Sequence, residues 1–313
     1  MSAEIENASE ARELGFSLRH GVNWTEYTLY RPTYAESFFR RIYEYHTQKP
    51  EACWSTAHDV GAGHGRISLP LSKSFERVIV SDPNGGYTEV ARRVLEEECG
   101  EAEVDSKFVF LQETAESSSL DAETVDLITA GSCMHWTDTV QAVDEFARQL
   151  KPGGTLVMAL NMQPLIIGNE RAQSIWEKIF LALSKKATGP LFEHAAQIIN
   201  NAYDSIAIPS KHWEGIKRVY INASRGIESF RFGDHTREDR VGSHEERIWV
   251  DSDSSWFHEQ GVAWMKKYVD TWALPLPESE IQGLWDELED AANGAKFRMK
   301  IPMVMVLATK RKN

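Results

Sequence analysis

The stretch His58-Asp59-Val60-Gly61-Ala62-Gly63-His64-Gly65 decides how the rest of the chain is read. Ala52-Cys53-Trp54-Ser55-Thr56-Ala57 runs into it as a buried strand, and Ile67-Ser68-Leu69-Pro70-Leu71 leaves it as the start of a helix. A strand therefore turns into a helix through three glycines. Glycine suits such a turn because it reaches positive φ without a Cβ clash and lets a ligand lie against the backbone. The helix that follows offers unpaired N–H groups to polar or anionic atoms. The loop is of the nucleotide-binding type, but its spacing is not the G-x-G-x-x-G of nicotinamide and flavin sites. Its third glycine comes one residue early, and an acid, Asp59, stands two positions before the first.

The next segment outward tests this reading. Arg77-Val78-Ile79-Val80-Ser81 is a β-rich run that ends in Asp82-Pro83-Asn84, and Asp82 lies 21 residues beyond Gly61. An acid at the end of the second strand, at that distance from a glycine loop, is placed to hold a ribose diol through two hydrogen bonds.

Further strands follow at Lys107-Phe108-Val109-Phe110-Leu111, at Val125-Asp126-Leu127-Ile128-Thr129-Ala130 and at Thr155-Leu156-Val157-Met158-Ala159-Leu160. Helical patterns at Tyr87 to Cys99 and Val140 to Leu150 separate them, the latter ending at Lys151-Pro152-Gly153-Gly154. Alternation of this kind predicts an α/β fold with a doubly wound, mostly parallel sheet, whose ligands collect at the carboxyl ends of the strands.

Outside this core the pattern changes. Residues 1 to about 20 read as loosely ordered, and helical spacing runs from Trp24 to His46. Within it, Pro32 of Tyr30-Arg31-Pro32-Thr33-Tyr34 forces a bend that can reach over a ligand pocket. After Leu160, helices are expected at Ala172 to Lys186 and His194 to Tyr203, a strand at Ile216 to Ile221, a charged loop at Gly233 to Arg240, and a buried strand at Lys300 to Ala308. The expected organisation is an N-terminal helical segment over the pocket (1–50) and a core (51–160) completed by strands near 216–222 and 300–309. Helical cap regions at 161–215 and 223–299 would choose the substrate. The tryptophans at 249, 256, 264, 272 and 285 are expected mainly to pack the cap, with one or two walling a pocket.

Composition excludes several classes. A formal net charge of −13 over 313 residues argues against a polyanion binder, and hence against nucleic acid. Three cysteines, Cys53, Cys99 and Cys133, carry no C-x-x-C spacing, so neither a disulfide framework nor a cysteine zinc site is expected. His235, His244 and His258 show no metal-ligand spacing, so no metal is expected. No apolar run is long enough to span a bilayer and no leader-like segment is evident, so the expectation is a soluble, cytoplasmic protein with no membrane partner.

The ordered set of loops resembles the class I S-adenosylmethionine (SAM) dependent methyltransferases over roughly residues 50 to 160. It comprises Asp59 to Gly65, Asp82, Thr114-Ala115-Glu116, and Lys151-Pro152-Gly153-Gly154. Tyr30-Arg31-Pro32-Thr33-Tyr34, His135-Trp136 and Lys217-Arg218-Val219-Tyr220-Ile221-Asn222 further resemble the small-molecule branch that contains fungal trans-aconitate methyltransferases. The resemblance implies a Rossmann-like sheet of seven strands with helical cap insertions. It implies SAM as cofactor and S-adenosyl-L-homocysteine (SAH) as product. It places the methionine part at Gly61, Ala62 and Gly63 with Asp59 as nearby negative charge, the ribose at Asp82, the adenine near Pro83, Thr114 and Ala115, and the amino-acid end at Gly131 and Ser132. Many relatives carry Asp where this chain has Thr114, which leaves only a hydroxyl there.

The acceptor implied is a small molecule methylated on an oxygen. A carboxylate needs no base; a phenol or alcohol does, and His135 is the candidate, with Tyr30, Arg31 and Trp136 as substrate contacts. The alternatives are a methyltransferase-like regulator that binds SAM and a protein partner, and a protein methyltransferase.

Overall fold

A computed structural model describes residues 24–312 apart from 234–235, 273 and 275. The stretch expected to be loosely ordered, 1 to about 20, and His235 lie outside the described residues. Two helices open the described chain, α1 (Trp24–Tyr30) and α2 (Glu36–Thr47). The core then runs β1 (Thr56–Val60), α3 (Ser68–Ser72), β2 (Arg77–Asp82), α4 (Gly85–Cys99), α5 (Glu101–Lys107), β3 (Phe108–Gln112), β4 (Val125–Gly131), α6 (Thr139–Gln149) and β5 (Leu150–Asn161). Beyond it lie β6 (Leu165–Ile167), α7 (Glu170–Ser184), α8 (Pro190–Asn200), β7 (Trp213–Ile221), β8 (Glu246–Val250), β9 (Phe257–Gln260), α9 (Val262–Asp270), α10 (Gln282–Ala292), β10 (Phe297–Lys300) and β11 (Met303–Lys310).

The strands β1 to β5 pair in parallel, and the chain winds from β1 outward to β3 on one side and from β4 to β5 on the other. The order β3-β2-β1-β4-β5-β11-β7-β8 puts the switch between β1 and β4, where an open α/β sheet forms its ligand crevice. β11 runs antiparallel between β5 and β7.

The sheet is the doubly wound, mostly parallel one expected, with eight strands in place of seven. The extra strand, β8, pairs in parallel with β7 at the edge. Its Glu246-Arg247-Ile248-Trp249-Val250 is largely exposed, so it lacks the apolar run that marks a central strand.

Two further expectations are corrected. The cap is not wholly helical, because β6, β10 and β9 form a three-stranded antiparallel sheet within it. The single strand expected at Lys300 to Ala308 is two. Pro302 has no N–H to donate to a ladder, and the chain leaves β10 for the main sheet there; the Pro302 carbonyl accepts from Met162 N at 2.9 Å, and Ile301 N donates to Trp256 O at 3.1 Å.

Alternation along the strands separates two cores. Ile128, Leu156, Met158 and Leu160 face one, with Val143 and Phe146 of α6. Leu127, Val157 and Ala159 face the other, with Phe38 and Ile42 of α2. A helix of 12 residues is marginal alone. Full burial of Phe38 and Ile42 supplies about 1.5–3 kcal/mol each, which holds α2 to the sheet.

The turn after α8 is held differently. Ala202 and Tyr203 are both buried with positive φ, 49° and 63°. Arg218, fully buried on β7, donates to Tyr203 O at 2.7 Å, Ile206 O at 2.8 Å and Glu245 Oε2 at 2.6 Å. A buried guanidinium is tolerated because its donors meet acceptors. The consequence is that α8 has a fixed position over the sheet.

Candidate active site

A cavity of about 680 Å³ opens at the carboxyl ends of the parallel strands. Val60, Asp82, Thr114, Gly131 and Asn161, from β1 to β5 or just beyond them, line its floor. The bend after α1, helix α8, and Phe232, Trp272 and Leu274 close it from the other side.

The glycine loop is built for close approach. Gly61 and Gly63 have φ of +60° and +55°. A Cβ at Gly61 would lie 2.6 Å from the Cβ of Cys133, whereas one at Gly63 would meet nothing within 4 Å. Ala62 N donates to Ser81 O at 3.0 Å, and Gly63 N to Asp82 Oδ2 at 3.1 Å, so the loop is sewn to the end of β2.

Two buried carboxyls stand beside the loop. Asp59 accepts from Ser68 Oγ at 2.6 Å and Thr129 Oγ1 at 2.8 Å, which ties β1 to α3 and β4. Burial pushes its carboxyl up to about 6 against those hydrogen bonds. Asp82 is likewise raised by burial to about 6, opposed by the backbone N–H groups of Asn84 and Gly63. Both acids therefore titrate close to neutrality.

After β4 the backbone turns sharply. Ser132 has φ 54° and donates its N–H to Ala159 O at 2.7 Å, while its Oγ donates to Asn161 Oδ1 at 2.8 Å. A Cβ at Gly131 would lie 2.7 Å from the Tyr34 hydroxyl and 2.3 Å from Ile67 Cδ1, so a side chain there would have to displace both side-chain ends. The 3₁₀ turn Met134–Trp136 then puts His135 and Trp136 on the wall, their rings 4.9 Å apart. Burial, with the Arg31 charge nearby, pulls the His135 imidazole down to about 3, and its Nδ1 has no hydrogen-bond partner among the described residues.

The bend over the cavity is fastened by two arginines. Arg66 donates Nη1 to Arg31 O at 2.7 Å, Nη2 to Thr28 O, and Nε to His64 Nε2 at 2.6 Å. Arg31 sits among Trp272, Tyr27 and Tyr268, at 4.8, 5.3 and 5.5 Å from the ring centroids, and donates to Thr271 O at 3.0 Å. Arg31 and Trp136 thus line the cavity, as do Asp59, Gly61, Ala62, Gly63, Asp82, Pro83, Thr114, Ala115, Gly131, Ser132 and His135. Tyr30 is not on the wall. It is the last residue of α1, and the cavity is lined instead by its neighbours Tyr27, Arg31 and Pro32.

Residues 58–158 match the family described as methyltransferase domain. Over nearly its whole length the chain is similar to methyltransferase cfoB of Aspergillus candidus, at 28% identity over 92% of this chain and 94% of that one. It is also similar to methyltransferase gedG of Aspergillus terreus, at 29% identity over 92% and 91%. A solved structure of a proposed type II methyltransferase from Anaeromyxobacter dehalogenans shares the fold, with a TM-score of 0.53 at 19% identity over 88% of this chain and 97% of that one.

The chain is a SAM-dependent methyltransferase with the class I fold.

The wall of the methyltransferase suits the cofactor of its family, SAM. Ionisable carboxyls lie at the ends of β1 and β2, and the peptide groups of two positive-φ glycines are presented without side chains in between. Among the described residues no group of three or more His, Cys, Asp or Glu side chains is gathered as a metal would require, and no helix is long and apolar enough to cross a membrane.

Among the wall residues that were not legible as such, two carry chemistry of their own, Arg66 and His194. Arg66 directly follows the glycine loop, and its position there was a usable signal. His194 lies on α8, far from any motif, and nothing local marked it. The cap tryptophans divide as expected in kind: Trp256 and Trp285 are buried, while Trp272 lines the cavity and stacks on Phe232 at 5.2 Å. Trp249 differs, being 45% exposed and stacked on Tyr220 at 4.2 Å. Arg225 and Arg247 pair with Glu177 and with Asp204 and Asp239, and neither is on the cavity wall.

Proposed function

We propose that this methyltransferase methylates an oxygen, of a carboxylate or a hydroxyl group, on a small metabolite. The observation that carries the reading is the two-ended cavity. Gly61, Gly63 and Asp82 form one end, and Leu191, Phe192, Ile199, Phe232 and Trp272 form an apolar wall at the other. Its volume of about 680 Å³ is in the range that encloses small molecules, and the net charge of −13 favours neither nucleic acid nor another polyanion.

In this reading Gly61, Ala62 and Gly63 receive the methionine part of the cofactor near the charge of Asp59, and Asp82 holds the ribose. Pro83, Thr114 and Ala115 face the adenine, and Gly131 and Ser132 the amino-acid end. When bound, the cofactor supplies a methyl group already activated by its sulfonium. The work left to the protein is to align the acceptor oxygen and to exclude water. Trp136 and Arg31 hold the acceptor side, and residues 51–160 act as the cofactor-binding core beneath a substrate-selecting cap.

The experiment is transfer of labelled methyl from SAM into a small-molecule extract, with the product identified by mass spectrometry. An ester or ether one methyl heavier than its precursor is expected. Label confined to protein, or to a nitrogen or carbon of the product, would overturn the proposal.

A further inference from the structure

We infer that His194 is the general base of this site and takes the proton of a hydroxyl group. The acceptor oxygen is then that of a hydroxylated, largely apolar ring and not that of a carboxylate. The inference rests on the oxygen-methylation reading above.

His194 lies in the first turns of α8, exposed to solvent and lining the cavity. Its Nε2 is 2.9 Å from Thr137 O. A carbonyl oxygen only accepts, so Nε2 carries a proton, and Nδ1 is the ring nitrogen that can accept one. An imidazole whose far nitrogen is committed as a donor is the arrangement that proton abstraction by the other nitrogen requires.

The neighbouring residue supplies the counter-charge. The N–H of Gln141, the Gln141 side chain and the N–H of Val140 hold the carboxyl of Asp138 below the usual carboxylate range, and Asp138 is close enough to interact with a charge on His194. A proton arriving on His194 therefore meets a fixed negative charge. From there it can leave to solvent, because the residue is exposed.

His135 offers no comparable route. A proton on it would be buried beside the Arg31 guanidinium, with Nδ1 lacking any partner among the described residues to share the charge. Asp59 and Asp82 are engaged by Ser68, Thr129, Gly63 and Asn84 at the other end of the cavity.

The surroundings of His194 match a ring. Phe192, on the same helix turn, meets Trp136 edge-on at 5.7 Å, and Leu191, Ala195 and Ile199 extend the apolar wall. In the step assigned, the acceptor O–H bond breaks and its proton passes to Nδ1 of His194. The oxygen's electron pair forms the O–CH₃ bond, and the electrons of the broken S–CH₃ bond remain on sulfur, leaving a neutral thioether.

The test uses a matched pair of probes, 2-naphthol and 2-naphthoic acid, at the centre of a panel of hydroxyarenes and arenecarboxylates, with labelled SAM. Wild type is expected to methylate hydroxyarenes. His194→Ala is expected to lower kcat on them by about 100-fold or more, with SAH affinity by calorimetry changed by less than about twofold, and added imidazole restoring part of the rate. A readout independent of turnover is ¹⁵N NMR of the free enzyme, which should show His194 protonated on Nε2 and not on Nδ1. Transfer to carboxylates alone, no transfer to any hydroxyarene by an enzyme that binds SAH, an unchanged kcat in the variant, or the opposite tautomer would each overturn the assignment. Failure to bind SAH at all would instead strike the reading beneath it.

Discussion

The carboxylate of Asp82 accepts the backbone N–H of Gly63 at 3.1 Å, joining the end of one strand to the glycine loop of its neighbour. Its other oxygen takes the N–H of Asn84 at 3.0 Å. The group thus shapes the loop even before a ligand arrives.

Asp82 should make cofactor binding pH-dependent. Burial raises its carboxyl to about 6, and the ionised form is the better acceptor for two ribose hydroxyls. SAH affinity is expected to weaken as pH falls through about 6, because ligand binding then has to displace a proton. Hydrogen bonds to a charged group contribute about 1.5–3 kcal/mol each, so Asp82→Ala should cost at least about 100-fold at pH 8 and lose this pH dependence. Calorimetry from acid to neutral pH decides it; equal affinities for the two proteins would refute the ribose assignment.

The glycines of the loop should separate stability from binding. Left-handed backbone costs a side-chain-bearing residue about 1–2 kcal/mol, and at Gly61 the added Cβ also meets Cys133 at 2.6 Å. Gly61→Ala is therefore expected to destabilise the fold by about 2 kcal/mol or more, and Gly63→Ala by only about 1 kcal/mol. Because the Cβ at position 63 enters open space, its cost should appear mainly as lost SAH affinity. Urea unfolding and calorimetry on both variants check the contrast, and equal destabilisation would contradict it.

Arg31 should act as a tie between the N-terminal bend and the cap. Each cation–π contact contributes about 0.5–2 kcal/mol, and three rings surround the guanidinium within 5.5 Å. Arg31→Met keeps an apolar stem but removes charge and donor. Faster amide exchange is expected across α9 and Thr271, with the acceptor KM raised about tenfold for a loss near 1.4 kcal/mol. Unchanged exchange in that segment would show that Arg31 does not hold the roof.

His135 should contribute to acid lability. Its imidazole is lowered from 6.5 to about 3 by burial, so below pH 6.5 the unfolded chain takes up a proton that the folded chain refuses. The penalty is absent above the unfolded value and grows by about 1.4 kcal/mol per pH unit as pH falls toward the folded one. His135→Phe should therefore flatten the stability profile between pH 6 and 4 by about one proton. Denaturant midpoints at two pH values for each protein measure it; parallel profiles would count against a buried neutral His135.

Much of the core was legible because its signals are local. The glycine dihedrals at Gly61 and Gly63, the acid closing β2, and the switch from period-two to helical spacing depend on neighbours within a few residues. β8 and the split at Pro302 were not legible as strands. One is a polar edge, and the other becomes two elements only because β6 and β9 are there to pair with β10.

By itself the sequence determined the doubly wound core and which loops gather at its strand ends, since backbone sterics and alternating burial act over short spans. Only the tertiary structure decided what closes the cavity. Arg31 reaches Thr271 across 240 positions, and His194 finds Thr137 across 57. Such partners are chosen by how the cap packs on the sheet, which no local pattern records.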